Sequence, residues 1–217
     1  MVNNDDFSKD REAMVKKQLI RRGIEDKLVL DAFRSVPREK FVPDHVKEYS
    51  YHDGPLPIGE DQTISQPYIV AEMVEALELN RDSIVLEIGT GSGYEAAILA
   101  EVAKHVYTVE RIQSLADKAK KKLDELGYEN ITIEVGDGSL GWPSGDKVFD
   151  GIVVSAGAPS IPNSYKNQLK TGGYLVIPVG SRALQNLYKV RKNQNGKMEK
   201  QSLGHVRFVP LLGEQAW

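Results

Sequence analysis

The chain of 217 residues contains no cysteine. A disulfide scaffold, a thiolate nucleophile and a cysteine-ligated metal are therefore excluded. No apolar run reaches membrane-spanning length, and Met1-Val2-Asn3-Asn4-Asp5-Asp6 is the opposite of a secretory leader. No membrane partner and a cytoplasmic location are expected. No lysine- or arginine-rich run offers a phosphate-neutralising face, and the net charge is −3. Nucleic acid is therefore a poor partner, because no face neutralises phosphates. His45, His52, His105 and His205 do not pair at metal-ligand spacing, so no metal is expected. The Gly-x-Ser-x-Gly of a hydrolase elbow is also missing.

What is present is ordinary globular composition, 41% hydrophobic and 27% charged, on a chain long enough for a sizeable core. Its centre is Ile84-Val85-Leu86-Glu87-Ile88-Gly89-Thr90-Gly91-Ser92-Gly93-Tyr94. A β-branched run enters a glycine turn, and a helical stretch follows. That is the first unit of a nucleotide-binding α/β domain. The spacing is Gly-x-Gly-x-Gly rather than Gly-x-Gly-x-x-Gly. Glu87 stands two residues before the first glycine, where it would repel a pyrophosphate. S-adenosylmethionine, with a positive centre and no phosphate, suits this turn better. The plain alternative is a glycine turn with no ligand.

Elsewhere the pattern predicts helices over Ser8–Arg22, with Ser8 as N-cap and Gly23 as stop, and over Asp26–Ser35. Tyr49 to Tyr68 has no helical or strand period, and its length marks it as a functional loop. A helix follows over Ile69–Leu79. From residue 84 strands and helices alternate. Strands are expected at Ile84–Ile88, Val106–Glu110, Ile131–Val135, Gly151–Ser155 and Tyr174–Val179. Helices are expected at Tyr94–Val102, Ile112–Leu126 and Ser164–Leu169, with Gly127 and Gly172-Gly173 as stops. Asn195-Gly196 signals a C-terminal hairpin. The fold class is α/β: a doubly wound, mostly parallel sheet of about seven strands, with N-terminal helices and a C-terminal β-hairpin. One domain is expected over 1–217, comprising helices and substrate loop (1–80), cofactor core (81–180) and C-terminal strands (181–217).

Three strand ends supply candidate ligands. Glu110 follows Gly89 by twenty-one residues, the place of an acid that binds ribose hydroxyls. Asp137, beside Gly138, stands where a carboxylate can read an adenine edge. Each also has a plain alternative, a solvated strand end or an Asp-Gly turn. The fourth strand ends Ser155-Ala156-Gly157-Ala158-Pro159. Methyltransferases acting on amine nitrogens usually carry Asn/Asp-Pro-Pro-Tyr here, so an amine acceptor is disfavoured.

Several stretches occur together and in order: Tyr51-His52-Asp53-Gly54-Pro55-Leu56-Pro57-Ile58-Gly59, Gln62-Thr63-Ile64-Ser65-Gln66-Pro67, Glu87 to Tyr94, Gly136-Asp137-Gly138, Gly172 to Gly180 and Phe208-Val209-Pro210-Leu211. This set resembles the protein-L-isoaspartate O-methyltransferase family, from about residue 10 onward. The Gln-Thr-Ile-Ser-Gln-Pro stretch is its specific part. The resemblance implies a class I methyltransferase fold. It also implies methyl transfer from S-adenosylmethionine to the free carboxylate of isoaspartyl residues in damaged proteins. It maps the catalytic serine to Ser65. It maps cofactor contacts to Ile64, Ser65, Glu87, Gly89, Thr90, Gly91, Gly93, Glu110, Arg111, Asp137 and Gly138. The acceptor peptide is placed beside Ser65, Val206, Phe208, Val209 and Pro210. Asp61, Tyr68 and Leu212 depart from the family pattern. A different methyltransferase on the same scaffold, acting on a small molecule, and a non-catalytic binding module remain the alternatives. A monomer is the expected state.

Overall fold

The computed structural model describes residues 7–143 and 146–217. Met1–Asp6, expected as a frayed polar end, lies outside the described residues.

Helix α1 spans Ser8–Met14, widens into a π turn at Val15–Leu19, and closes as a 3-10 turn at Ile20–Arg22. Gly23, at φ 96°, stops it as expected. Phe7 holds the cap position, so Ser8 is the first helical residue rather than the cap. Helix α2, Lys27–Ser35, is capped by Asp26, whose carboxylate accepts from Leu28 N and Val29 N. Strands β1 (Leu56–Gly59) and β2 (Gln62–Ile64) then pair antiparallel, inside the stretch expected to be irregular. Their two-residue turn, Glu60-Asp61, has φ 53° and 55°, the left-handed pair that a hairpin's twist favours. Helix α3, Pro67–Ala76, starts on a proline, whose missing N–H is harmless in a first turn.

The main sheet follows. Its strands are β3 (Ile84–Ile88), β4 (His105–Glu110), β5 (Ile131–Val135), β6 (Phe149–Val154), β7 (Leu169–Gly180), β8 (Gln185–Lys192) and β9 (Met198–Val206). Helices α4 (Tyr94–Val102), α5 (Gln113–Glu125) and α6 (Asn163–Gln168) lie between them. The spatial order is β5-β4-β3-β6-β7-β8-β9. Pairing is parallel from β5 to β7 and antiparallel from β7 to β9. The seven-strand, doubly wound sheet and the C-terminal hairpin are thus as expected.

Side chains alternate across the sheet. Val85 and Val153 join a core with α1 to α5, while Leu86, Ile88, Ile152 and Val154 join a second core with Trp142 and Tyr165 of α6. Gly172-Gly173 is not a helix stop. Helix α6 ends at Gln168, and the glycines lie within β7, where the register against β6 shifts between Phe149 and Gly151. A Cβ on Gly173 would lie 2.5 Å from the Asp150 carbonyl oxygen, so the bulge needs glycine.

Candidate active site

The sheet reverses its order beside β3, with β4 on one side and β6 on the other. At the carboxyl ends of those strands lies a crevice, the usual ligand position of this architecture. Its floor is the turn from Gly89 to Ser92; Gly93, which ends the turn, is not among the lining residues. All three glycines have positive φ, 98°, 52° and 86°, which L side chains rarely adopt. Gly93 also packs against α5, where a Cβ would meet Ala119 and Leu123 at 3.3 Å.

Glu110 braces the turn. Its Oε2 accepts from Gly91 N at 2.9 Å, and its Oε1 accepts from Ile112 N at 2.9 Å. Each carboxylate oxygen keeps a second lone pair, and Glu110 lines the crevice with Arg111 and Ile112. Gly138 lines it as well. Asp137 is not among the lining residues. Its carboxylate accepts from Ser139 N at 2.9 Å and from Glu214 N at 2.8 Å. Burial works against its ionised form, but these hydrogen bonds outweigh it and lower its pKa.

Beneath the turn, Glu87 is fully buried. Its Oε2 accepts from Thr108 Oγ1 at 2.5 Å, which leaves Thr108 to accept from Thr90 at 2.6 Å. Burial raises its pKa well above the ordinary value, and the charges of Glu95 and Glu110 add to this. Glu95, in the first turn of α4, also lines the crevice. Its Oε2 accepts a short hydrogen bond from Ser155 Oγ at the end of β6. Burial pushes its pKa up to about 7. Sequence reasoning passed over Glu95. The signal was available: apart from Glu101 in its last turn, α4 surrounds Glu95 with apolar residues, which leaves an acid in its first turn no solvent to face.

The facing wall comes from the β1–β2 hairpin. Gln62, Thr63, Ile64 and Ser65 all line the crevice. Ser65 is half-buried, and its hydroxyl makes no hydrogen bond among the described residues. It therefore forms no local turn that would explain the serine structurally. Its carbonyl accepts from Arg38 Nη2 at 2.8 Å. Val209, Pro210, Leu211 and Leu212 complete the wall. Gly157 N donates to the Val209 carbonyl and Leu211 N to the Gly157 carbonyl, both at 2.8 Å, pinning this segment to the end of β6. Val206 and Phe208 do not line the crevice. Val206 pairs with Gln185 and is buried in the core. Phe208 N donates to Gln185 Oε1 at 2.9 Å, and its ring packs on the same core.

A family model described as protein-L-isoaspartate(D-aspartate) O-methyltransferase (PCMT) matches residues 9–216. The chain belongs to this family. The protein-L-isoaspartate O-methyltransferase of Petrotoga mobilis is 53% identical over 212 residues, 98% of this chain and 100% of the relative. That of Pelotomaculum thermopropionicum is 52% identical, over 99% of this chain and 93% of the relative. A solved protein-L-isoaspartate O-methyltransferase superposes with a TM-score of 0.85 at 30% identity, covering 95% of this chain and 67% of the other. A second structure is a PCMT from Plasmodium falciparum in complex with S-adenosyl-L-homocysteine. It gives a TM-score of 0.79 at 25% identity, covering 93% of this chain and 98% of the other. PCMT enzymes are methyltransferases that use S-adenosylmethionine and act on isoaspartyl proteins. In this PCMT chain the glycine turn and the serine hairpin, 24 residues apart from Ser65 to Gly89, thus face one crevice.

Proposed function

We propose that this chain esterifies the free carboxylate of isoaspartyl residues with the methyl group of S-adenosylmethionine, and that Ser65 holds that carboxylate. The observation that carries the reading is the shared crevice: the Ser65 hydroxyl, unengaged by the chain, opposite the glycine turn.

The crevice suits the cofactor. The glycine turn is an open cradle, since a Cβ on Gly91 would meet nothing nearer than Ile58 at 3.4 Å. Below it, Oε1 of Glu87 and Oε1 of Glu95 are buried without partners among the described residues, an arrangement that favours a cation. Ile64, Ser65, Glu87, Gly89, Thr90, Gly91, Gly93, Glu110, Arg111 and Gly138 are the residues assigned to hold it, with Asp137 at the edge. When bound, S-adenosylmethionine supplies a methyl group on a positively charged sulfur.

The residues then have little bond-breaking work. An acceptor carboxylate, with an ordinary pKa near 4, is ionised at neutral pH and needs no general base. Ser65 donates a hydrogen bond to one carboxylate oxygen and so aims the other. Positioning of this kind supplies most of the acceleration. Val209 and Pro210 flank the acceptor peptide, and Leu212 offers apolar contact in place of a hydrogen bond. The reading takes 1–217 as one domain and a monomer as the working state. Among the described residues no helix is long and apolar enough to cross a membrane.

The test is labelled methyl transfer to matched isoaspartyl and aspartyl peptides, read as base-labile label. Label on the isoaspartyl peptide alone is expected. Equal labelling of both would refute the substrate. Ser65→Ala is expected to lower kcat/KM by about ten- to a hundredfold, the value of one hydrogen bond to a charged group. Unchanged kcat/KM would remove the serine from the mechanism.

A further inference from the structure

Glu95 has no part in the assigned contacts, yet it is buried in the crevice wall. It is 7% exposed, its Oε2 is engaged by Ser155, and its Oε1 has no partner among the described residues. Glu87 repeats the pattern, with Oε2 engaged by Thr108 and Oε1 unpartnered. The ionisable groups acting on this pair are the two carboxyls themselves and Glu110 of β4. Among the described residues the hydrogen bonds to this pair come from Ser155, just after β6, and Thr108 of β4. Among the described residues no lysine or arginine shifts either group. Two buried carboxyls without a counter-cation do not both ionise near neutral pH. The pair therefore holds a proton while the crevice lacks a cation.

We propose that Glu95, acting with Glu87, is a specificity-determining residue that separates the charged methyl donor from its demethylated product by releasing a proton to solvent when a cation enters the crevice. The inference rests on S-adenosylmethionine as the cofactor. The amino-acid ends of donor and product carry the same ammonium and carboxylate. They differ only by the methyl group and the positive charge it places on sulfur. The donor brings a net positive charge, which favours the ionised pair, and the carboxyl proton passes to the buffer. After transfer the sulfur is a neutral thioether. The pair then takes its proton back, and the attraction that held the donor is gone.

The experiment is calorimetric titration of the chain with S-adenosylmethionine and with S-adenosylhomocysteine between about pH 6 and pH 8.5. Running it in two buffers of different ionisation heat counts the protons exchanged. The donor is expected to release roughly half to one proton near neutral pH, and the product clearly less. Donor affinity should rise by up to about tenfold per pH unit below the step, with a shallower rise for the product. Glu95→Gln leaves Glu87 as the remaining buried acid and should reduce the release; combined with Glu87→Gln it should abolish the release and give both ligands the same pH profile. Ser155→Ala removes the hydrogen bond that favours the anion, so the step should move to higher pH. A purely structural role would not produce that displacement. Equal proton release for the two ligands in the unaltered chain overturns the inference, whether or not the variants fold. So does release that survives the double variant. Either result leaves donor binding and isoaspartyl methylation standing. Failure to bind the donor at every pH would instead overturn the cofactor reading beneath it.

Discussion

Replacing Arg38 tests whether the acceptor loop is held from behind. The side chain is completely buried, and burial lowers its pKa. Nε donates to the Ser50 carbonyl at 2.7 Å and Nη2 to the Ser65 carbonyl at 2.8 Å. The guanidinium carbon lies 4.8 Å from the Tyr94 ring centre, and Nη1 has no partner among the described residues. Arg38→Met removes two charge-assisted hydrogen bonds, roughly 3–6 kcal/mol in gross terms. It also removes a buried cation that no carboxylate neutralises, which offsets several kcal/mol of that loss. A net destabilisation of about 2 kcal/mol results, equivalent to a Tm drop of roughly 4–8 °C for a chain of this size. Arg38→Lys keeps the buried charge, reaches only one carbonyl, and buries a more strongly hydrated ammonium. Lysine should therefore be worse than methionine, although it conserves charge. Arg38→Met frees the Ser65 carbonyl, and misplacement of the serine should lower its kcat/KM about ten- to a hundredfold. Thermal melts and peptide methylation measure the two effects. A lysine variant more stable than methionine, or a methionine variant with unchanged Tm and kcat/KM, would refute the reasoning.

Three further outcomes are expected. The folded-state pKa of Glu95 is about 7 against an ordinary 4.5, so folding favours its protonated form. Its contribution is intact below about pH 4.5 and is lost as pH rises toward 7. Glu95→Gln should therefore match the parent in denaturant stability near pH 5 and exceed it at pH 8 by roughly 1–3 kcal/mol; identical profiles would argue against this. Glu60→Asn with Asp61→Gly places the residues that a left-handed turn prefers between β1 and β2, at the cost of the 2.8 Å bond from Ser114 to Glu60. It should raise stability by about 1 kcal/mol in urea, and a loss of stability would count against the turn assignment. Gly138→Ala sets a Cβ 2.6 Å from Ile88 Cγ2. About 1–3 kcal/mol of destabilisation is expected, with weaker binding of S-adenosylhomocysteine, and wild-type values for both would contradict the packing.

The glycine turn was legible because its strand, turn and helix are each signalled locally by β-branched residues, glycine spacing and apolar continuity. Ser65 and the reaction came from resemblance, since no local rule singles out that serine. The β1–β2 hairpin escaped because Glu60-Asp61 lacks the Asn-Gly chemistry that announces such turns. Gly172-Gly173 misled because a glycine pair serves a strand bulge as readily as a helix stop. Val206 and Phe208 were assigned to the peptide because they share an extended segment with Val209 and Pro210. The amide of Gln185, remote in sequence, turns that part of the segment into the core. Arg38 reads as an ordinary surface cation until the carbonyls of Ser50 and Ser65 surround it.

The two walls of the crevice have one further consequence. Residues 62–65 and 209–212 are 144 residues apart from Ser65 to Val209 in a chain of 217, and they must meet before any enclosure exists. Contacts of such long sequence separation form late, because the intervening loop is entropically expensive to close. During renaturation, turnover should thus return after the parallel strands have assembled, so regained catalysis timestamps the final docking event rather than the first collapse.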